Sequence, residues 1–217
     1  AAFDEGGCDW ELVFVDDCSS DSTWEKIATA RGKNQRVRGF RLEKNSGQSA
    51  AVWTGIQGTD RPLIATLDGD RQNDPADLPI LLKELDTCDF ACGWRHKRKD
   101  TFLRKISSGI ARWFRCRALR SDFKDTGCAV RVFKRECVKA LFGFNGLHRF
   151  MPIIVAGAGF KCREVPCNHR PRVAGESKYG VWNRLWRGIY DLIAISWDQK
   201  RRGNSVKFAE AEPAGDS

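Results

Sequence analysis

The stretch Leu63–Pro75, LIATLDGDRQNDP, decides the fold class of this chain. It opens with an apolar run of strand length, and three aspartates then follow within seven residues: Asp68, Asp70 and Asp74. Carboxylates crowded at the end of a strand repel one another and cost free energy unless something compensates their charge. Either solvent or a bound cation must supply that compensation.

The surrounding sequence alternates short apolar runs with segments of helical pattern. We predict strands at 10–15, 37–42, 63–67, 90–94, 129–133 and 160–165, and helices at 49–56, 75–85, 101–116, 135–141 and 149–156. This alternation is typical of an α/β fold with a mostly parallel sheet flanked by helices. Ligands of such sheets bind at the carboxyl ends of the strands, where the acidic cluster lies.

The motif Asp68-x-Asp70-x-Gln72 predicts a divalent metal site. Two carboxylates and an amide oxygen on one loop suit Mg²⁺ or Mn²⁺, whose other ligands come from phosphate and water. A solvated acidic turn is the alternative. An EF-hand is excluded because the loop lacks the later ligands and the closing glutamate. A second acidic turn, VDDCSSDST with Asp16 and Asp17, is expected at the same sheet edge, and it favours the metal.

Charge and cysteine content limit the partners and the class of protein. The 217 residues carry a formal charge of +9, and 93–120 holds ten Lys or Arg against one acid. This bias predicts an anionic partner: nucleic acid, a phosphorylated small molecule or an acidic membrane surface. The nine cysteines form no C-x-x-C pair, so we expect reduced thiols in a cytosolic compartment rather than zinc or disulfides. No signal peptide and no membrane-spanning run is found.

Several motifs together resemble the family-2 glycosyltransferases of GT-A fold. These are VDDCSSDST, KNSGQSAAVWTGI and LIATLDGDRQNDP, followed by CGWRHKRKDTFLRKISS, KDTGCAVRVFKRE, LHRFMP and EVPCNHRPRVAGESKYG. The later segments resemble the polyprenyl-phosphate branch, which includes dolichol-phosphate mannosyltransferases and bacterial undecaprenyl-phosphate sugar transferases. The resemblance covers roughly residues 10–190. It implies an inverting, metal-dependent transfer of a sugar from a UDP- or GDP-linked donor to a polyprenyl phosphate.

The resemblance also implies roles for individual residues. Metal and diphosphate fall to Asp68, Asp70 and Gln72, and the nucleoside to Asp17 with Asp16 beside it. Asp125 lies where the family places an acid near the sugar. The resemblance makes Asp70, Asp125 and Arg131 the catalytic candidates. The expected substrate-phosphate contacts are Arg95, Arg98, Arg131, His148, His169, Arg172, Ser177 and Lys178. For His148, capping of the following helix is an equally good interpretation, and the loop from His169 is either a closing loop or a solvated one.

From the same resemblance we expect this chain to lack the family's first strand with its base-binding turn and the transmembrane helices that many members carry. We expect a catalytic domain at 1–165, a basic loop and juxtamembrane amphipathic helix at 166–203, and a disordered tail at 204–217. Such a domain is expected to lie peripherally on the cytoplasmic face of a membrane.

Two segments predict contact with an anionic membrane surface. The helix at 102–116 combines Trp and Phe with flanking Arg and Lys, and 182–197 carries three tryptophans on an apolar pattern. An ordinary core-packing helix with a basic solvent face is the alternative for the first. The alternative functions are a family-2 glycosyltransferase that acts on another acceptor, a nucleic-acid-binding module and a catalytically incomplete membrane-surface protein. Against nucleic acid stand the paired acidic turns, which would repel a phosphate backbone, and the absence of any nucleic-acid-binding signature.

Overall fold

The computed structural model describes residues 9–95, 122–168, 170 and 181–201, with side chains of the last range from Tyr190 onward. The strands are β1 Leu12–Asp16, β2 Val37–Arg41, β3 Leu63–Thr66, β4 Phe90–Arg95, β5 Arg131–Lys134 and β6 Cys162–Cys167. The helices are α1 Thr23–Lys33, α2 Gln48–Gln57, α3 Leu78–Glu84, α4 Leu147–Gly157 and α5 Val181–Arg201. Two 3₁₀ helices span Pro75–Asp77 and Arg135–Ala140.

The strands form two hydrogen-bonded groups. A parallel pair joins β1 to β2, and a sheet of four strands has the order β3-β5-β4-β6. In that sheet β5 runs antiparallel to both β3 and β4, while β6 is parallel to β4. The strands β3, β4 and β6 therefore share one direction, and β5 alone is reversed.

The reversal of β5 determines what lies at the functional edge of the sheet. Arg131, the first residue of β5, pairs in register with Thr66 of β3 and with Cys92 of β4. The start of β5 therefore lies at the edge where β3 leads into Asp68 and β4 ends at Arg95. An arginine from the reversed strand is thus brought to the carboxyl ends of its neighbours.

The hydrophobic core lies on both faces of the four-stranded sheet because side chains alternate along each strand. One face carries Phe90 and Phe133, whose rings stack with centroids 5.1 Å apart, against Met151 of α4. The opposite face carries Val130 and Val132, which pack with Leu81 of α3. Helices on both faces give the α/β arrangement that the sequence predicts.

The predicted elements within the described residues are all present, with bounds that differ by one to three residues at most ends. The predicted helix at 101–116 and the predicted disordered tail at 204–217 lie outside those residues. The seven described cysteines, Cys18, Cys88, Cys92, Cys128, Cys137, Cys162 and Cys167, are all free thiols, as predicted for these positions. Among the described helices, none is long and apolar enough to cross a bilayer.

Candidate active site

The acidic turn after β3 brings Asp68 and Asp70 together, as predicted. Asp68 is half-buried, and burial first and the charge of Asp70 second raise the pKa of its carboxyl above the ordinary value. Gln48 Nε2 donates to Asp68 Oδ1 at 2.6 Å, and the Gln72 backbone amide donates to Asp70 Oδ1 at 3.1 Å. Arg71, which lies between Asp70 and Gln72 in the chain, has a φ of 63°, a left-handed conformation that turns the chain sharply.

The donor set of this turn fits a hard divalent cation. Two carboxylates of like charge repel each other, and a cation between them relieves that repulsion. Among the described residues, no group of three or more His, Cys, Asp or Glu side chains converges as a metal cage. A site with two carboxylates suits Mg²⁺ or Mn²⁺, which commonly takes its remaining ligands from phosphate and water.

The turn after β1 uses both of its aspartates within the fold. Asp16 is 3% exposed, accepts the Ser19 amide at 3.2 Å and pairs with Arg41 Nε at 3.3 Å. Asp17 accepts the backbone amides of Ser46 and Gly47 at 2.6 and 2.8 Å. Asp17 thereby fastens the N-terminal end of α2 beside the β1 turn.

Arg95 and Asp125, predicted for the acceptor phosphate and the sugar, form a two-pronged ion pair with each other. Arg95 Nε donates to Asp125 Oδ2 at 2.6 Å, and Arg95 Nη2 donates to Oδ1 at 2.8 Å. The Asp125 backbone amide donates to Glu164 of β6 at 3.0 Å. The end of β4 and the KDTG turn are therefore held together as one charged unit.

Arg131 is a buried cation, only 2% exposed. Its Nη2 donates to the carbonyl oxygens of Thr126 and His148, and its Nη1 contacts Met151 Sδ at 3.7 Å. Its Nε has no hydrogen-bond partner among the described residues. Burial lowers the pKa of Arg131, which the negative charges of Asp68 and Asp125 partly oppose. Arg131 thus places a positive charge beneath the acidic turn.

His148 lies at the start of α4 and faces α2. Its Nδ1 is 2.6 Å from Ser49 Oγ, which also accepts the Gly146 amide at 2.9 Å. Burial first, and then the charges of Arg149 and Arg131, lower the pKa of His148 to about 4. The imidazole is therefore neutral at physiological pH and can donate or accept a hydrogen bond but carries no charge toward a phosphate.

A set of contacts missed by the sequence analysis links the acidic turn to the end of β6. Asp77 accepts the Asn168 backbone amide at 2.8 Å and Asn168 Nδ2 at 2.9 Å, and Asp74 pairs with Arg170. The Arg170 amide also donates to the Gln72 carbonyl at 2.9 Å. The basic loop therefore leaves β6 directly beside the acidic turn. Five predicted phosphate contacts lie outside the described residues: Arg98, His169, Arg172, Ser177 and Lys178.

Comparisons with known proteins identify the family of the chain. Residues 1–138 match the family model Glycosyl transferase family 2, and the chain belongs to that family. It is 38% identical over 205 residues to a dodecaprenyl-phosphate galacturonate synthase of Rhizobium johnstonii, covering 92% of this chain and 60% of that protein. It is 32% identical over 208 residues to an undecaprenyl-phosphate 4-deoxy-4-formamido-L-arabinose transferase of Edwardsiella ictaluri, covering 95% and 64%. The chain thus spans about three-fifths of the length of these relatives.

Solved structures confirm the predicted GT-A fold. The chain resembles glucosyl-3-phosphoglycerate synthase of Mycobacterium tuberculosis in complex with Mn²⁺, UDP and glucosyl-3-phosphoglycerate, with a TM-score of 0.60 and 16% identity. The match covers 90% of this chain and 70% of that one. The resemblance to the polyprenyl-phosphate branch of the family is confirmed by the relatives above.

Proposed function

We propose that this domain transfers a sugar from a UDP- or GDP-linked donor to a polyprenyl phosphate. One observation carries the proposal: the turn with Asp68 and Asp70 meets Arg131 and the Arg95–Asp125 pair at a single sheet edge. A site with both signs of charge suits a reaction in which one phosphate attacks and another leaves. The two curated relatives, whose names specify polyprenyl-phosphate acceptors, support the choice of acceptor.

In the proposed reaction an oxygen of the acceptor phosphate forms a bond to the anomeric carbon of the sugar. The bond from that carbon to the donor diphosphate breaks, and its electron pair leaves with the nucleoside diphosphate. The acceptor phosphate is already an anion at neutral pH, so no strong general base is needed. One displacement from the face opposite the leaving group inverts the anomeric configuration.

Each group at the edge has a proposed part in this chemistry. Asp68, Asp70 and Gln72 would hold Mg²⁺ or Mn²⁺, which supplies positive charge to the leaving diphosphate. Arg131 adds fixed positive charge from below, where low polarity strengthens its field. Asp16 and Asp17 are assigned to the nucleoside side of the site, where they accept backbone amides of the β1 turn and of the segment before α2.

The acceptor side of the site is assigned to the remaining predicted residues. Arg95, whose guanidinium pairs with Asp125 at the end of β4, is assigned to the acceptor phosphate. His148 contributes a neutral hydrogen bond, and the basic loop with Arg98, His169, Arg172, Ser177 and Lys178 is assigned to substrate phosphate on sequence alone. We place the reaction at the cytoplasmic face of a membrane, with the domain bound peripherally.

Calorimetric binding of UDP and GDP tests the donor site. We expect binding in Mn²⁺ that is weakened at least tenfold both in EDTA and in Asp70→Ala, because the metal or one of its carboxylate ligands is removed. Asp60→Ala, an exposed aspartate between α2 and β3, is the control and should bind as wild type. The preferred base narrows the choice of sugar donor.

A second arm tests the acceptor. A short-chain polyprenyl phosphate should bind, and the corresponding alcohol should not. If wild type binds neither nucleotide in Mn²⁺, the proposed function is wrong; if it binds the nucleotide but not the lipid phosphate, only the acceptor is wrong.

A further inference from the structure

We propose that Gln48 is a positioning residue that fixes the orientation of Asp68, the first carboxylate of the acidic turn. The inference rests on the proposed metal-dependent donor site and deepens it. Gln48 opens α2, and its side chain reaches the turn after β3 at a distance of 2.6 Å between Nε2 and Asp68 Oδ1. The contact partner is a carboxylate, which only accepts, so the amide nitrogen is the group that faces it.

The backbone that carries Gln48 is fastened on both sides. Before it, the amides of Ser46 and Gly47 donate to Asp17. After it, Ser49 is 5% exposed, contacts His148 Nδ1 and accepts the Gly146 amide. The start of α2 therefore connects the β1 turn, the β3 turn and the start of α4. The fixed backbone holds the Cα of Gln48 at a constant place relative to the β3 turn, so only its side-chain torsions are left to order when the bond forms.

The chemistry of the side chain also suits the task. The single amide donor of Gln48 binds Oδ1 of Asp68 and leaves Oδ2, the second carboxylate oxygen, for a cation. Because the amide is neutral, it orients Asp68 without cancelling the negative charge that a cation needs. An ammonium or guanidinium at the same place would orient Asp68 equally well but would compete with the metal. Partners of ligating carboxylates generally tune metal affinity in this way.

The test measures Mn²⁺ affinity by electron paramagnetic resonance of the free ion, in saturating UDP or GDP. Gln48→Met keeps the length of the side chain and removes the donor, so we expect Mn²⁺ to bind about tenfold more weakly. Gln48→Lys should weaken it further, because it adds a competing positive charge. Gln57→Met is the matched control, since Gln57 is an exposed glutamine at the other end of the same helix. Gln48 is exposed as well, so unfolding midpoints should be unchanged in all three variants.

Nucleotide binding in EDTA separates positioning of Asp68 from a general effect on the site. We expect Gln48→Met to match wild type there. The inference is overturned if Gln48→Met binds Mn²⁺ within twofold of wild type, if Gln57→Met is weakened as much, or if nucleotide binding in EDTA falls equally. Failure of wild type itself to bind Mn²⁺ would instead remove the proposed function, and this inference with it.

Discussion

At the scale of single residues, the site combines side chains whose charges are set by burial. Arg131 keeps its charge although it is buried, because two backbone carbonyls accept from it and the carboxylates of Asp68 and Asp125 lie near enough to act on its pKa. His148 is neutral because burial first, and the charges of Arg149 and Arg131 second, lower its pKa to about 4. The fold therefore places one permanent cation and one neutral imidazole side by side.

The neutral state of His148 predicts a pH dependence of stability. The pKa of His148 is about 4 in the folded chain, against about 6.5 in an unfolded one. Between pH 4 and pH 6.5 the unfolded chain binds a proton at this imidazole and the folded chain does not. The free energy of unfolding therefore has its full value above pH 6.5 and falls as the pH drops toward 4. We expect the free energy of unfolding to decrease more from pH 7 to pH 5 in wild type than in His148→Gln, measured by urea denaturation.

Nuclear magnetic resonance of the imidazole gives a direct check on the same prediction. A titration of the His148 ring shifts should show a midpoint near 4. A midpoint near 6.5, or equal losses of stability in wild type and His148→Gln, would contradict the prediction.

At the scale of elements, the contact between the start of α3 and the end of β6 controls where the basic loop begins. Asp77 is 2% exposed and accepts two hydrogen bonds from Asn168. Asp77→Ala leaves the Asn168 donors without their partner, so we expect a loss of about 3 kcal/mol in the free energy of unfolding. Asp86→Ala, at the exposed end just after α3, should change it by less than about 0.5 kcal/mol.

Urea denaturation measures both variants, and calorimetry with UDP or GDP then tests the functional consequence. If the contact positions the loop, nucleotide affinity should fall in Asp77→Ala at temperatures where the variant is still folded. Equal stability of the two alanine variants would show that the contact contributes nothing.

The elements themselves were predictable from sequence, but the contacts between them were not. Apolar runs bounded by polar turns locate β1 to β6, and the acidic motifs locate two strand ends. Neither pattern indicates the direction of β5, because a short apolar run of four residues is expected in a parallel and in an antiparallel strand alike. The bond between Ser49 and His148 joins positions 99 residues apart, and Gln48 at a helix start has no distinguishing pattern. These contacts depend on tertiary packing, which local sequence does not encode.

At the scale of the whole molecule, the exposed face of α5 is the surface that we expect to meet a membrane. Tyr190, Ile193 and Trp197 are 79%, 63% and 65% exposed, and their spacing of three and four residues puts them on one face of the helix. Lys200 and Arg201 follow in the last turn. Aromatic and aliphatic side chains next to basic ones are typical of a helix that lies in an anionic interface. The opposite face packs on the core through Ile195, which is 1% exposed.

The double variant Ile193→Ser with Trp197→Ser should therefore bind vesicles more weakly. Removing two exposed apolar side chains takes away about 2–4 kcal/mol of burial in the interface, which corresponds to at least a tenfold loss in partitioning. Sedimentation with vesicles containing phosphatidylglycerol measures it, and Ile80→Ser, an exposed isoleucine of α3, is the matched control. Because these residues lie outside the core, both proteins should keep the unfolding midpoint and nucleotide affinity of wild type. Equal binding of the double variant and the control would place the membrane contact on another surface, while loss of binding in the double variant alone would place it on this face of α5.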